Sequence, residues 1–226
     1  MLTKPIYNIT PFTLLDYPNH SACIFWYAGC NMRCLYCYNP EIVLGKGMFS
    51  IDEAFSFLNS RKGLLDAVVF SGGECTLHKN FFEQVEAIKK LGFLVKIDTN
   101  GSNPEVLEQL INEKAIDYVA LDFKAPKAKF ERITQSKVYA SFEKTLEMLL
   151  KHSISFEIRT TLHSELLTIL DINEMITYLS QLGFQGNYYV QNFKNNVPTL
   201  GNLVSSFKIN EKQITTTSNI NVVFRN

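Results

Sequence analysis

The chain has 226 residues, of which 46% are hydrophobic, a share large enough for the core of one α/β domain. Its 22 basic residues balance its 22 acidic residues, so the composition predicts no polyanion-binding surface and argues against a nucleic-acid partner. No signal-peptide core is evident in the first twenty residues, and no apolar run reaches the ~18 residues that span a bilayer, so no membrane partner is expected. Five cysteines without a secretion signal indicate a reducing, cytoplasmic location and metal chemistry.

Strand and helix patterns alternate along most of the chain. Residues 1–20 carry Pro5, Pro11 and Pro18 and are predicted to form an ordered but irregular cover. Apolar runs then predict six strands, at residues 22–28, 66–70, 93–98, 116–121, 153–161 and 186–193. Helical periodicity predicts helices beginning near Ser50, Asn80, Asn103, Tyr139 and Asp171. The segment 125–136 is polar, and residues 222–224 are a possible short strand in the tail.

Strands that alternate with helices predict βαβ units and a parallel sheet. Six units are fewer than the eight of a closed barrel, so the predicted fold is an incomplete (β/α)6 TIM-like barrel, open on one side. A doubly wound sheet is the structural alternative. The prediction treats residues 1–226 as one domain, with a core of about 20–195 and a C-terminal tail of 196–226.

Three cysteines follow the first predicted strand at C-x₃-C-x₂-C spacing, and they are Cys30, Cys34 and Cys37. Iron–sulfur cubanes are usually held by four cysteines, so three ligands from one loop would leave one iron open to a substrate or cofactor. Structural zinc is the alternative, but zinc sites typically use two spaced pairs of ligands. The remaining cysteines, Cys23 and Cys75, do not form a second pair.

Polar clusters follow most of the other predicted strands. They are Ser71–Glu74, Asp98–Asn100, Asp122–Lys124 and Gln191–Asn192. In parallel α/β folds the carboxyl ends of the strands are where sites are built, so these clusters predict one shared site.

Gly72, Gly73 and Glu74 could let the backbone approach a ligand and offer a carboxylate to an ammonium, and an ordinary Gly-Gly turn is the alternative. Asp98 ends an apolar strand, where an unpaired carboxylate is costly. Pairing with the same ammonium would offset that cost, and capping of the next turn is the alternative.

Asp122 and Lys124 alternate on a strand and are predicted to point the same way, as a ligand site or as a plain surface pair. Arg159, inside a barrel, would need an anion, and an ion pair with Glu157 or another acid is the alternative.

The cysteine spacing, with an aromatic residue before the third cysteine, resembles the radical S-adenosylmethionine (SAM) superfamily. The wider context is Leu15-Asp16-Tyr17-Pro18 followed by GCNMRCLYCYNPE at residues 29–41. That context resembles the activating proteins of anaerobic (class III) ribonucleoside-triphosphate reductase, over about residues 10 to 195. One departure is Tyr38, where many such activating proteins have histidine.

The resemblance implies a [4Fe–4S] cluster on Cys30, Cys34 and Cys37 and SAM as the second cofactor. It implies that Gly72–Glu74 binds the amino group of the methionine part of SAM, that Lys124 meets the methionine carboxylate, and that the Tyr36 backbone lies beside adenine. The full predicted cofactor-binding set is Tyr36, Gly72, Gly73, Glu74, Asp98, Asn100, Asp122, Lys124, Arg159 and Gln191. Asp98, Thr99 and Asp122 are also candidates for a monovalent-cation site.

The activity that the resemblance implies is reductive cleavage of SAM, followed by removal of a Cα hydrogen from one glycine of the reductase. A flavodoxin or a ferredoxin would donate the electron. Three alternatives stay open: an activating enzyme for a formate-lyase type of glycyl-radical enzyme, a small-molecule radical SAM enzyme such as a 7-deazaguanine synthase, and a non-enzymatic metal-binding module. Cys23 and Cys75 are too few to hold a second four-cysteine cluster within one chain.

Overall fold

The computed structural model describes residues 4–215 and 217–225. Its strands are β1 Ile6–Thr13, β2 Ala22–Tyr27, β3 Ala67–Gly72, β4 Leu94–Thr99, β5 Tyr118–Asp122, β6 Ser155–Leu162, β7 Gly186–Asn192 and β8 Ile220–Arg225. Its α-helices are α1 Pro40–Leu44, α2 Ile51–Asn59, α3 Phe81–Lys90, α4 Pro104–Asn112, α5 Lys127–Thr134, α6 Tyr139–Lys151 and α7 Ile169–Gln181. Within the described ranges, no helix has the length and apolar character needed to cross a membrane.

The strands form one eight-stranded sheet in which neighbours follow the order of the chain from β1 to β8. β1 is antiparallel to β2, whereas the pairs β2–β3, β3–β4, β6–β7 and β7–β8 are parallel. β1 and β8 are the two ends of this order, so the sheet is open. The predicted α/β fold with an open, incomplete barrel sheet is confirmed, with one additional strand at each end.

The chain divides into two compact units. The first unit contains the residues up to Asn31 together with Asn39–Thr99 and Asn103–Ala120, and the second contains Met32–Tyr38, Asn100–Ser102 and the residues from Leu121 onward. β2 and β3 of the first unit are buried along almost their whole length, which explains why they appear in the sequence as continuous apolar runs.

Aromatic rings fill the core of each unit. In the first unit Phe70 packs edge-to-face on Phe25 and on Phe81, with ring centroids 6.0 and 5.5 Å apart. In the second unit Phe123 stacks on Phe142 at 4.8 Å. Such contacts fix the faces of the helices that cover each part of the sheet, because aromatic side chains bury more apolar area than any others.

The prediction that residues 1–20 are irregular was wrong for Ile6–Thr13, which is a strand. Residues 14–20 are bends and turns, as predicted, and residues 1–3 of this range lie outside the described residues. The pairing of β1 with β2 is interrupted by register shifts between Ile6 and Asn8 and between Thr10 and Thr13. Pro11 lies within the second irregularity, and β1 is an edge strand. Proline is tolerated at such positions because its missing N–H interrupts no hydrogen-bond ladder there.

Two helices were not predicted, and both are short. α1 begins with Pro40 at its first position, and α5 lies in the polar segment after β5, where it buries Phe130 and Ile133. The predicted helix start near Ser50 is confirmed: Ser50 is the N-cap of α2, and Ser50 and Glu53 form a capping box by exchanging side-chain and backbone hydrogen bonds. The possible tail strand is confirmed as β8, which pairs with β7.

Asp171 stabilises the start of α7. Its Oδ2 accepts hydrogen bonds from Thr168 N at 2.6 Å, from Thr168 Oγ1 at 2.7 Å and from Lys129 Nζ at 2.6 Å. Burial opposes ionisation of this carboxyl, but the bonds from Lys129 and Thr168 outweigh burial and lower the pKa of Asp171 below its ordinary value.

We expect Asp171→Ala to lower the free energy of unfolding by about 2 kcal/mol at neutral pH, because the substitution removes a capping box and a charge-assisted bond. A carboxyl whose folded-state pKa is lowered contributes its full stability above the unfolded pKa of about 3.9 and loses it as pH falls through the folded-state value. Urea unfolding at several pH values should therefore show the difference shrinking below about pH 4. The control is Asp52→Ala in the first turn of α2, where the side chain is exposed. Equal losses for both variants would contradict the prediction.

Candidate functional site

In the first unit, Cys30 lies beside Gly73, where β2 and β3 end. Gly73 N donates to Tyr27 O at 2.8 Å, and Glu74 N donates to Gly29 O at 2.9 Å. A Cβ on Gly73 would lie 1.8 Å from Gly29 O and 3.2 Å from the Cβ of Cys30. Only glycine allows the backbone after β3 to approach the start of the cysteine loop this closely.

The neighbouring Gly72 has a different requirement. Its φ is +118°, a backbone conformation that other residues rarely adopt, and a Cβ there would lie 2.3 Å from Tyr27 N. The two glycines are therefore needed for contact between backbones, which accounts for the Gly-Gly pair even before any ligand is considered.

Glu74 is 1% exposed and makes short hydrogen bonds within the first unit. Its Oε1 accepts from Thr76 N at 3.3 Å, from Thr76 Oγ1 at 2.7 Å and from Thr99 Oγ1 at 2.9 Å. These bonds cap the short 3₁₀ turn Cys75–Leu77 and fix the position of the carboxylate at the end of β3. Thr76 was not predicted as a site residue. The sequence feature that could have predicted its role is its position two residues after an acidic residue, a spacing that is typical of side chains that cap a turn.

Asp98 pairs with a residue that the sequence analysis did not single out. Lys96 Nζ lies 3.0 Å from Asp98 Oδ1, and Ser71 Oγ donates to Asp98 Oδ2 at 3.2 Å. The expectation that a ligand ammonium must offset the cost of burying Asp98 is therefore unnecessary, because Lys96 supplies a positive charge. The signal was present in the sequence, since residues two apart on a strand share a face and a lysine inside an apolar strand needs a partner.

In the second unit, the loop with Cys34 and Cys37 is held by backbone hydrogen bonds from two sides. Arg33 N donates to Thr134 O at 2.8 Å, and Leu35 N donates to Ile133 O at 3.0 Å, so the end of α5 supports the loop. From the tail, Leu200 N donates to Cys37 O at 3.1 Å and Gly201 N donates to Leu35 O at 2.8 Å. A Cβ on Gly201 would lie 2.7 Å from Leu35 O, so this position also needs glycine.

Tyr36 is buried in the middle of that loop, with 4% of its surface exposed. Its ring lies 6.0 Å from Lys124 Nζ, and its hydroxyl has no hydrogen-bond partner among the residues that the structure describes. Burial raises the pKa of Tyr36 well above its ordinary value. A buried hydroxyl of this kind is an unused donor, available to a bound group.

Asp122, Lys124 and Arg159 form a cluster at the ends of β5 and β6 in the second unit. Lys124 Nζ donates to Asp122 Oδ2 at 2.9 Å, and Arg159 Nε donates to Asp122 Oδ1 at 3.1 Å. The predicted common direction of Asp122 and Lys124 is confirmed. Arg159 has the acidic partner that the sequence analysis held open as an alternative, and its Nη1 also lies 3.9 Å from Glu157 Oε1.

The charges in this cluster reinforce one another. Burial opposes ionisation of Asp122, but Lys124 and Arg159 outweigh burial and lower the pKa of Asp122. Burial likewise opposes protonation of Lys124, and Asp122 outweighs it, so the pKa of Lys124 is raised well above its ordinary value. Glu157 is shared between Arg159 and Arg225, whose Nη2 lies 3.7 Å from Glu157 Oε2. The three cations Lys124, Arg159 and Arg225 therefore outnumber the two carboxylates, and the excess positive charge is attractive to a further anion.

The remaining predicted residues have structural contacts in the second unit. Asn100 Oδ1 accepts from Ser102 N at 2.9 Å and so shapes the turn after β4. Gln191 lies in β7, paired with Thr161 and Arg225. Tyr38 replaces the expected histidine, packs on Phe193 at 5.2 Å and accepts a hydrogen bond from Lys194 N. The structure thus groups Cys30 with Gly72–Glu74 and Asp98 in the first unit, and the other predicted residues in the second.

The residues present fit a [4Fe–4S] cluster by the chemistry of their donors, which are three thiols from one loop. No group of three His, Cys, Asp or Glu side chains that could hold a metal ion was found in residues 4–215 and 217–225. That finding concerns a single ion, whereas the irons of a cubane each take their own cysteine ligand.

The sequence matches a known family over more than half of its length. A model of the Radical SAM superfamily matches residues 24–168, a range that contains every predicted site residue except Gln191.

Similar proteins include a protein of Methanocaldococcus jannaschii provisionally described as a glycyl-radical enzyme activating enzyme. It is 35% identical over 176 residues, which is 74% of this chain and 72% of that protein. The pyruvate formate-lyase-activating enzyme of Clostridium pasteurianum is 31% identical over 55% of this chain and 54% of its own. An S-adenosylmethionine-dependent nucleotide dehydratase of Selenomonas ruminantium is 29% identical over 67% of this chain and 58% of its own. The chain thus spans little more than half the length of the last two relatives.

Solved structures with the same fold include Streptococcus suis SuiB bound to S-adenosylmethionine, at 14% identity and a TM-score of 0.64 over 78% of this chain and 41% of that one. A second is anSMEcpe with bound AdoMet, at 20% identity and a TM-score of 0.62 over 74% of this chain and 50% of that one. At these identities the likeness shows the fold.

Proposed function

The chain belongs to the radical SAM superfamily, and from that premise we propose that it activates a glycyl-radical enzyme, namely anaerobic (class III) ribonucleoside-triphosphate reductase. The observation that carries the proposal is the cysteine loop in its sequence context, Leu15–Pro18 together with residues 29–41. The M. jannaschii relative, aligned over 72% of its length, supports the class of activating enzymes.

In this proposal Cys30, Cys34 and Cys37 hold a [4Fe–4S] cluster, and SAM binds beside it. When bound, the two cofactors supply a one-electron cleavage of the sulfonium C–S bond that yields methionine and a 5′-deoxyadenosyl radical. The residues of the chain orient these groups and exclude water from them. The hydrogen bonds from α5 and from residues 200–201 hold the loop of Cys34 and Cys37 in place, which reduces the reorganisation that cluster binding requires.

The polar residues have complementary roles in binding SAM. Gly72, Gly73 and Glu74 are proposed to meet its ammonium, with the Glu74 carboxylate fixed by Thr76 and Thr99. Lys124 and Arg159 are proposed to meet its carboxylate, because cations outnumber carboxylates around them and the excess positive charge attracts an anion. The other residues proposed to contact SAM are Tyr36, Asp98, Asn100 and Gln191.

Activation of a formate-lyase type of enzyme is the second candidate, and the similarity to the C. pasteurianum enzyme favours it. Both candidates share the same chemistry at the cofactors and differ in the protein that receives the radical. The proposed electron donor in both cases is a flavodoxin or a ferredoxin.

The test is anaerobic incubation of the iron-loaded protein with SAM, reduced flavodoxin and a class III reductase from the same organism, followed by EPR spectroscopy. A glycyl-radical doublet on the reductase, together with release of 5′-deoxyadenosine, is the expected result. A parallel sample contains a formate-lyase type of enzyme from that organism. A doublet in this sample alone would replace the proposed partner with the second candidate, and 5′-deoxyadenosine with neither protein radical would point to a small-molecule substrate.

A further inference from the structure

Lys96 is a buried cation in the middle of β4, outside the set of predicted site residues. Its side chain is 3% exposed, and its Nζ contacts three groups of the first unit. These are Asp98 Oδ1 at 3.0 Å, the backbone oxygen of Asp16 at 2.6 Å, and the ring of Tyr118, whose centroid lies 5.9 Å away. An ammonium is costly to bury, so a lysine in this position needs neighbouring groups that compensate its charge.

The geometry points to Lys96 as a positioning residue for Asp98. The two side chains are two residues apart on one strand and therefore share a face of the sheet. Lys96 Nζ lies within ion-pair distance of one carboxylate oxygen of Asp98, and Ser71 Oγ donates a hydrogen bond to the other, so each oxygen has a polar neighbour. Lys96 thereby serves as an internal cation beside Asp98.

Lys96 also ties Asp98 to the segment Leu15–Pro18. Tyr17 packs in a cluster of the first unit with Ala22, Ile24, Ala67 and Val69, and its ring lies 5.9 Å from that of Tyr118. The carbonyl that precedes Tyr17, that of Asp16, accepts a hydrogen bond from Lys96 Nζ at 2.6 Å. The Asp16 side chain faces another partner, Thr13 Oγ1, at 2.6 Å. One ammonium therefore joins the N-terminal segment to the carboxylate at the end of β4.

The consequence for function rests on the proposed binding of SAM near Asp98. Loss of Lys96 would remove the ammonium that lies 3.0 Å from Asp98 Oδ1 and would change the charge balance and position of this carboxylate beside the SAM ammonium. We expect Lys96→Met to weaken SAM binding about tenfold. Methylammonium, which can enter the space left by the lysine head group, should restore part of that affinity. The parent protein should bind SAM equally well in potassium and in choline buffers of equal ionic strength.

The measurement is anaerobic equilibrium dialysis of SAM with the iron-loaded protein, without any partner protein. The control variant is Lys89→Met, which breaks another short ion pair of the first unit, Lys89 Nζ to Asp117 Oδ1 at 2.6 Å, and should leave SAM affinity unchanged. Urea unfolding of the iron-free proteins reports stability separately. If Lys96→Met folds poorly, Lys96→Met combined with Asp98→Asn removes both charges and should regain stability while SAM binding stays weak.

Two results would overturn the inference. One is SAM affinity like that of the parent protein in Lys96→Met or in the double variant. The other is a loss of affinity that methylammonium does not restore in Lys96→Met. Failure of the parent protein to bind SAM would instead reject the proposed function. A parent protein that binds SAM but activates no glycyl-radical enzyme would reject only the proposed partner.

Discussion

Replacement of Cys34 by alanine is expected to abolish cluster binding and, with it, every product of SAM cleavage. The variant loses one of the three proposed cluster ligands, and two thiolates hold a cubane poorly. The backbone bonds that fix the loop, such as Cys37 N to Cys34 O at 2.9 Å, do not involve the side chain and should persist. We therefore expect a folded protein whose iron and sulfide contents are near zero and whose glycyl-radical signal is lost by a factor of about 10³ or more.

Metal analysis after anaerobic reconstitution and EPR spectroscopy check this result. The matched control is Cys23→Ala, because Cys23 is fully buried in β2 and burial raises its pKa to about 12, which is typical of a packed thiol and not of a metal ligand. Cys23→Ala should retain the iron of the parent protein. A Cys34→Ala variant that keeps its cluster, or a parent protein that binds one zinc ion, would contradict the assignment.

Gly73→Ala is expected to destabilise the protein strongly, because the added methyl group has no room beside the proposed site. Its Cβ would lie 1.8 Å from Gly29 O, which is a backbone atom and cannot rotate away. The clash can be relieved only if the backbone after β3 moves away from the backbone after β2. That movement would weaken the hydrogen bonds from Gly73 N to Tyr27 O and from Glu74 N to Gly29 O. We expect a loss of about 3 kcal/mol or more in the free energy of unfolding, from overpacking and weakened hydrogen bonds. Iron loading should fall as well, since Cys30 moves with Gly29.

The control for this substitution is Gly92→Ala. Gly92 has a φ of +96°, and a Cβ there would meet no atom within 4 Å, so the variant measures backbone strain without a clash. That strain should cost about 1 kcal/mol. Urea unfolding of the iron-free proteins gives both values, and iron analysis after reconstitution gives the second readout. A Gly73→Ala protein as stable as Gly92→Ala would show that the backbones after β2 and β3 separate easily.

Local signals in the sequence determined most of the fold. The apolar runs predicted β2 to β7. Apolar residues at helical spacing, together with residues typical of helix starts, predicted α2, α3, α4, α6 and α7. The predicted helix start near Tyr139 agrees with the first residue of α6, Tyr139–Lys151. These features depend on residues a few positions apart, and neighbouring residues are enough to specify them.

The candidate site was predicted in part for the same reason. The three cysteines lie within eight residues, and the common direction of Asp122 and Lys124 follows from the alternation of side chains along a strand. The grouping of Cys30 with Gly73 could be expected because the ends of adjacent parallel strands lie together, and the structure adds that the contact is between backbones.

Only the tertiary structure decided which residues, distant along the chain, hold the candidate site residues in place. β1 escaped prediction because it contains Pro11, which is acceptable only at an edge or an irregular position of a sheet. α5 escaped prediction because only Phe130 and Ile133 form its buried apolar face. Gly201 contacts Leu35 across 166 positions of the chain, and Lys96 contacts the carbonyl of Asp16 across 80. The sequence by itself determined the elements and the ligand types, since those depend on local pattern. The structure decided what holds each ligand in place, because those contacts join residues whose separation along the chain carries no pattern.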